Sequence, residues 1–464
     1  IRGYPYMRLL IKNGTIVTAS DIYKGDIFIE NEIIKEIGLN INKTADEVID
    51  ANEKYVIPGG VDIHTHFNLH VGNNVANDDF YSGTIAAACG GTTTIVDHMG
   101  FGPIGCNLKH QINVYHEYAD NNAVVDYGFH GVIQHVNDEI INEMEEIVCD
   151  YGIQSFKGYL TYDYKIDDDK IIKVFERLKE LGGITTIHCE NHGSIQYLRK
   201  KFIDKGLKSP KYHYLSRPVE AEAEAVNRMI KLAKIVDYED LYVVHLSTKD
   251  GLEYIKNARE CGQKVYAETC PQYLLLDKSK YELQNNEGLK YIMSPPLRSI
   301  ENCEALWKGI KDGYIQTIGT DHCPFSFNRD KQLGKEDFTK CPNGAPGVEE
   351  RIPLIFSEGV MKNKIDLNKF VEVCCTNPAK IFGLYPKKGT ISVGSDADIT
   401  IIDPNKEVVL TTDKLHSNVD YTAYEGFKLK GYPIFTILRG KVVSKDGEFV
   451  GEKGYGKYIK RKRI

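Results

Sequence analysis

Six residues able to hold cations recur in one kind of place along the chain. His64 and His66 follow the apolar run GGVDI, Lys157 follows IQSF, His188 follows ITTI, His245 follows LYVV and Asp321 follows TIGT. Residues i and i+2 of a strand point to the same face, so His64 and His66 can grip one ion together. Taken singly, each has an ordinary explanation. A lone His188 or His245 is more often a hydrogen-bonded structural histidine, Lys157 a snorkelling or ion-paired side chain, and Asp321 a cap for the following turn. His98, His192 and His322 are read in that structural way. Metal is indicated by the set as a whole, which core packing does not readily produce. Imidazoles joined by a carboxylate suit zinc first, with manganese, iron or nickel as alternatives. The chemistry such a centre supports is hydrolysis.

The elements that must position these residues are legible around them. From 58 to 387, short apolar runs such as TTTIVDHMG, AVVDYGFHGV and KVYAETCP alternate with amphipathic segments such as EAEAVNRMIKLAKIV and DGLEYIKNAREC. Strand–helix alternation means a parallel sheet. About eight such units in roughly 330 residues fit a (β/α)8 TIM barrel, whose strand C-terminal ends all face the active site. No glycine-rich dinucleotide pattern follows an early strand, which weakens an open doubly wound sheet. The two ends of the chain have another texture. LLIKNGTIVTA and GDIFIENEIIKEIG, with Asn-Gly and Glu-Asn pairs, read as hairpins. GSDADITIIDP and IFTILRGKVVSKDGEFV read likewise. The expected organisation is an α/β barrel over 58–387 with a small β-sandwich built from 1–57 and 388–464, the latter ending in a basic tail.

Composition excludes several other classes. The 464 residues are 42% hydrophobic and 27% charged, the profile of a soluble globular protein. A net charge of −7 argues against a nucleic-acid or anionic-membrane partner. The one basic run, Lys457 to Arg463, reads as a solvated end or a subunit contact. No apolar stretch reaches the length of a membrane helix. Eleven cysteines without a Cys-x-x-Cys pair imply reduced thiols and a cytoplasmic location. Residues 1–6, ahead of Met7, show no signal layout and are set aside from fold reasoning.

Longer motifs then occur in order: VDIHTHFN, DDFYSGTIAAACGGTTTIVDHMGFGP, SFKGYLTY, YHYLSRPVEAEA, ETCPQYLLLD, SPPLR, TDHCPFS and CPNGAPGVE. Over nearly its whole length the chain resembles the hydantoinase/dihydropyrimidinase family, the cyclic-amidase branch of the amidohydrolases, and above all its bacterial hydantoinases. The resemblance implies a barrel with an appended β-sandwich, two divalent ions per chain, and a homotetramer. It implies that Lys157 is carboxylated on its amine (N6-carboxylysine) and bridges the ions. An ammonium has no lone pair with which to do so. His64, His66 and Asp321 would hold one ion, His188 and His245 the other. Asp321 would also accept the proton of attack and pass it to the departing ring nitrogen.

By the same resemblance Tyr162 donates to the developing oxyanion, while backbone groups at Ser294 and Asn343 read the amide edge of the ring. The implied substrate is a small cyclic amide or imide, foremost a D-5-substituted hydantoin opened to its N-carbamoyl amino acid. Dihydropyrimidines and allantoin are the alternatives. Phe67, Asn68 and Leu69 stand where an arginine would grip an acidic ring, favouring an uncharged imide over dihydroorotate. Phe67, Leu69 and Tyr159 are expected to wall the pocket for the ring substituent. Gly158 departs from the bulkier apolar residue the family leads one to expect, and bears on that wall rather than on the metal. Non-enzymatic relatives keep the fold and lose metal ligands; all six ligands are present here.

Overall fold

Alternating aliphatic residues build the first five strands, β1 (Arg8–Val17), β2 (Ile22–Glu30), β3 (Ile33–Gly38), β4 (Glu47–Asp50) and β5 (Tyr55–Pro58), in a computed structural model that describes residues 7–463. The leading stretch set aside from the sequence lies outside the described residues. Between β2 and β3, Asn31 and Glu32 take φ of 55° and 70°, as a two-residue hairpin of the matching twist requires. Asn13-Gly14 is not a turn. The register of β1 against β2 slips between Ile11 and Gly14, with Asn13 at φ 63°, so the pair forms a bulge inside one strand. A Cβ on Gly14 would lie 2.5 Å from Val56 Cγ2, so only glycine lets β5 approach there.

Next come β6 (Gly60–Thr65) and a short hairpin of β7 (His70–Val71) and β8 (Asn74–Val75). The parallel strands continue as β9 (Thr92–His98), β10 (Asp126–Val132), β11 (Ser155–Tyr159), β12 (Ile184–His188), β13 (Leu241–Val243), β14 (Val265–Thr269) and β15 (Thr317–Ile318). Their spatial order is the chain order from β6 and β9 round to β15. The remaining seam is spanned beyond β15, where His66 N–H donates to the His322 carbonyl at 2.9 Å and Thr320 Oγ1 donates to Asp62 at 2.6 Å. The eight-stranded barrel expected from the sequence is therefore present. Its strands are largely buried on both faces, with threonines and charged residues set among the apolar ones. The helix Asp168–Leu181 shows the outer layer's logic. Ile171, Val174, Phe175 and Leu178 bury one stripe, and Gly182 at φ 66° ends the helix.

The last strands are β16 (Ile399–Val409), β17 (Lys428–Leu438), β18 (Lys441–Lys445) and β19 (Glu448–Phe449). Ile399–Ile402 of β16 run antiparallel to Tyr55–Pro58 of β5, joining both chain ends in one nine-stranded sheet. Leu9, Ile11, Ile27, Ile29, Val56, Ile399 and Ile437 give this sheet a core of its own. Among the described residues no helix is long and apolar enough to cross a membrane.

A buried ion cluster ties that sheet to the barrel. Lys388 Nζ lies 2.5 Å from Asp126 Oδ2 of β10, 2.9 Å from Asp396 Oδ2 and 2.7 Å from Asp398 Oδ2. Burial alone would lower the lysine's pKa, but the three carboxylates hold it raised. Lys388→Met leaves Asp396 and Asp398 without that amine, while Asp126 keeps Arg439 at 3.1 Å. Removing one partner from a buried ion set costs about 3–5 kcal/mol. The variant should melt several degrees below wild type, and an unchanged melting temperature would mean the cluster contributes nothing net.

The basic tail departs from expectation. Ile459 and Arg461 turn inward while Lys460 and Lys462 stay exposed, an alternation with period two along extended chain. Arg461 donates to the Phe382 carbonyl at 3.2 Å and to Ser155 Oγ at 2.9 Å; Arg463 meets Asp240 at 2.5 Å. The tail is thus a strap packed on its own barrel rather than a solvated end. An arginine fork can satisfy several carbonyls left over at strand and helix ends, which makes burial of the cation tolerable.

Candidate active site

The candidate residues stand where the barrel strands end. His64 and His66 are at the end of β6, Lys157 is in β11, and His188 closes β12. His245 follows β13 by two residues, and Asp321 follows β15 by three. The fold brings all six to one side. Asp321 Oδ1 lies 3.0 Å from His64 Nε2 and 3.1 Å from His66 Nε2. The His64 and His245 rings are 5.5 Å apart, and those of His188 and His245 4.5 Å. Lys157 is only 1% exposed.

His98, set aside as structural from the sequence, belongs to the same cluster: nitrogens of His64, His66 and His98 lie within 4.8 Å of one another. It ends β9, so the strand-end rule that singled out the others applies to it too. His322, in contrast, is structural as expected. Its Nε2 lies 2.8 Å from Asp78, and its Nδ1 accepts from the Gly347 and Val348 amides. His192 sits one layer further out, 3.1 Å from Thr161 Oγ1.

Two carboxylates that sequence reasoning missed orient the imidazoles. Glu268 Oε1 is 2.6 Å from His64 Nδ1, and Glu190 Oε1 is 2.7 Å from His188 Nε2, with Arg217 clamping Glu190. Holding one ring nitrogen aims the other at the shared space, as carboxylates behind metal ligands do. Glu268 in AETCP and Glu190 in HCEN also sit at strand ends, which was the available signal.

Burial lowers the pKa of His66 and His188, and that of His98 and His245 far more, so these imidazoles stay neutral and keep a lone pair to offer. His64 is the exception. Burial lowers it too, but Glu268 and Asp321 outweigh this and push it up to about 9. Burial also opposes ionisation of Asp321, yet the facing imidazoles hold its carboxyl well below the usual range. His66 Nδ1, His98 Nδ1 and His245 Nδ1 are buried without a hydrogen-bond partner. An unsatisfied buried polar atom costs about 1–3 kcal/mol. Such unpartnered imidazole nitrogens, in one histidine cluster beside Asp321, fit a cation-binding centre.

On the far side of His188, the Tyr162 ring lies 5.2 Å from the imidazole. Asn343 Nδ2 donates to Ser294 Oγ at 2.9 Å, and both side chains neighbour the Tyr162 hydroxyl. The three residues expected to read a substrate therefore meet. Tyr162, His245 and Asp321 all have left-handed backbones, with φ of 74°, 38° and 54°. Tyrosine pays more for that conformation than the asparagines of turns do, and such strain tends to collect at functional sites.

The expected wall is only partly right. Tyr159 is at the site, 6.0 Å from the rings of Tyr162 and His188. Phe67 is fully buried behind it, edge-on to Phe80 and His322, because its position on the chain turns it into the barrel–helix layer. Leu69 packs with Ala76, Cys323 and Phe325. Phe101, which sequence reasoning did not single out, stacks edge-on to Tyr159 at 5.2 Å. Gly158 does not touch the pocket: a Cβ there would meet Ile187 and Ile166 at 3.0 and 3.2 Å, in the layer outside the strands.

Residues 55–443 match the model of the Amidohydrolase family. The chain is 51% identical over 457 residues to D-phenylhydantoinase of Escherichia coli, covering 98% of each. The structure of dihydropyrimidinase from Brevibacillus agri superposes with a TM-score of 0.96 at 46% identity, over 98% of this chain and 99% of that one. L-hydantoinase (dihydropyrimidinase) from Arthrobacter aurescens does so at 0.89 and 31% identity, over 98% and 100%. With its barrel, its histidine cluster and these likenesses, the chain belongs to the amidohydrolase family, among the hydantoinases and dihydropyrimidinases.

Proposed function

We propose that this protein opens the ring of 5-substituted hydantoins, with preference for the D form, to give N-carbamoyl amino acids. The observation that carries the reading is the meeting of Tyr162, Ser294 and Asn343 beside the histidine–Asp321 cluster. The 51% identity to D-phenylhydantoinase supports the substrate class.

His64, His66 and Asp321 would hold one divalent ion and His188 and His245 a second, zinc foremost, with Lys157 between them. When bound, the ions supply Lewis-acid polarisation of the amide carbonyl and lower the pKa of water. The protein's own residues do the rest. Burial draws Lys157 down to about 8, so a usable share of neutral amine exists near pH 7. That amine attacks the carbon of CO2, forms an N–C bond and releases a proton, leaving an anionic carbamate with two oxygens. Asp321 accepts the proton of attack and hands it to the departing ring nitrogen. The Tyr162 hydroxyl, kept protonated by burial, donates to the developing oxyanion. Backbone groups at Ser294 and Asn343 orient the ring's amide edge. Tyr159 and Phe101 offer an aromatic surface to the C5 substituent, where burial contributes about 25 cal/mol per Å².

The family resemblance further supports a homotetramer. The eleven free cysteines support work in the reducing cytoplasm. The chain divides, on this reading, into a barrel over 58–387 with 1–57 and 388–464 forming the appended β domain.

The test is a comparison of kcat/KM for D- and L-phenylhydantoin, unsubstituted hydantoin, dihydrouracil and allantoin. D-phenylhydantoin should lead. The name dihydropyrimidinase on the Brevibacillus relative favours dihydrouracil as the second reading, and its clear lead would overturn the hydantoin assignment. No turnover of any of the five by metal-loaded enzyme would overturn the reaction class.

A further inference from the structure

A second group of metal-type side chains converges outside the barrel mouth. Cys89 ends the helix Phe80–Cys89, Glu349 precedes the helix Arg351–Ile355, and His416 lies in the connection between β16 and β17. One potential ligand atom from each lies within 4.8 Å of the other two. Glu349 Oε1 is 2.8 Å from His416 Nδ1, and Glu349 Oε2 accepts the His416 backbone N–H at 2.7 Å. Cys89 and Glu349 are buried, and the Cys89 thiol is free. The His416 side chain is 24% exposed, so the cluster is reached from solvent through the imidazole.

We propose that Cys89, Glu349 and His416 form a structural site for a further divalent ion of borderline softness, zinc foremost, separate from the catalytic cluster. One thiolate, one carboxylate and one neutral imidazole are donors zinc takes in proteins. With a dication they sum to zero charge, the favourable case for burial. Burial pushes the Glu349 carboxyl up to about 7 and raises the Cys89 thiol as well. Hydrogen bonds to Cys89 and Glu349 push His416 up to about 10, so the cluster holds a proton that a bound cation would displace. Loading releases the thiol proton and any proton shared by Glu349 and His416, so occupancy rises with pH.

Such an ion would pin three segments distant in sequence. The segment carrying His416 also fixes the active-site surroundings. Ser417 and Asn418, next along it, hydrogen-bond Asp78, and Asp78 holds His322 beside Asp321. The ion would act as a staple on that contact chain.

The experiment adds Co2+ to enzyme carrying its resident metals and records near-ultraviolet absorption. The catalytic cluster offers only nitrogen and oxygen, so it gives no thiolate-to-cobalt charge-transfer band. Wild type should develop such a band, saturating at one ion per chain, and its melting temperature should rise. Cys89→Ser and His416→Ala should each lose both effects. Absence of the band in wild type would overturn the proposal, whatever the variants do. A band persisting in folded Cys89→Ser would assign it to another cysteine, with the same consequence. Hydantoin turnover is a separate readout, so failure here is distinguishable from failure of the proposed function.

Discussion

Lys157→Ala protein should purify folded, with fewer than two ions per chain, and turn over substrate at least three decades more slowly, a loss of about 4 kcal/mol in transition-state stabilisation. The reason is electrostatic. Lys157 is buried in β11, beside β12, whose last residue is His188. As the proposed carbamate it would bring negative charge and two oxygens to the histidine cluster. Two dications bound in one water-poor site would repel strongly, so losing an anion beside them would weaken both. Alanine also leaves a cavity shaped for a small anion. Acetate or propionate should therefore restore part of the rate by entering it, while a neutral amide of the same size should not. Elemental analysis and steady-state rates, with and without added carboxylate, decide the matter. Two ions and near-normal turnover in the Lys157→Ala protein would remove the bridging role.

The second large effect is expected at Tyr162. Tyr162→Phe removes one hydroxyl and should lower kcat by roughly 10²–10³, as does loss of a single oxyanion donor, with metal content and KM little changed. The ring is already fixed by the His188 and Tyr159 contacts and by a backbone at φ 74°. Phenylalanine should keep that placement, which separates the hydroxyl's contribution from packing. Burial raises the phenol's pKa, so the donor persists through the neutral range and its titration should not limit the rate there. An increase confined to KM would make Tyr162 a binding residue and leave oxyanion stabilisation to other groups.

Much of this protein is written locally. Apolar runs of strand length, each ending in a residue of ligand type, were enough for the barrel and for six of the clustered site residues; the pairing of the two β-rich ends they only suggested, and β5 against β16 decided it. Those features depend on period, length and the one-sided chemistry of parallel strand ends, all of which are properties of short segments. What lay beyond reach depends on residues far apart in the chain. Asn13-Gly14 looks like a turn, and only pairing with β2 and the close approach of β5 make it a bulge. Phe67 sits two residues past the end of β6, so whether it faced the pocket or the layer behind was set by how that layer packs on Phe80. Glu268 and Glu190 gain their roles from imidazoles that only the closed barrel brings to them. The tail is a run of cations to the eye, and carbonyls contributed by Phe129 and Phe382 turn Arg461 inward. Cys89, Glu349 and His416 are separated by 260 and 67 positions of chain. A side chain's direction along one strand follows from local geometry. The partner it meets is decided only when the whole barrel closes and buries both, because the cost of leaving either unsatisfied arises only then.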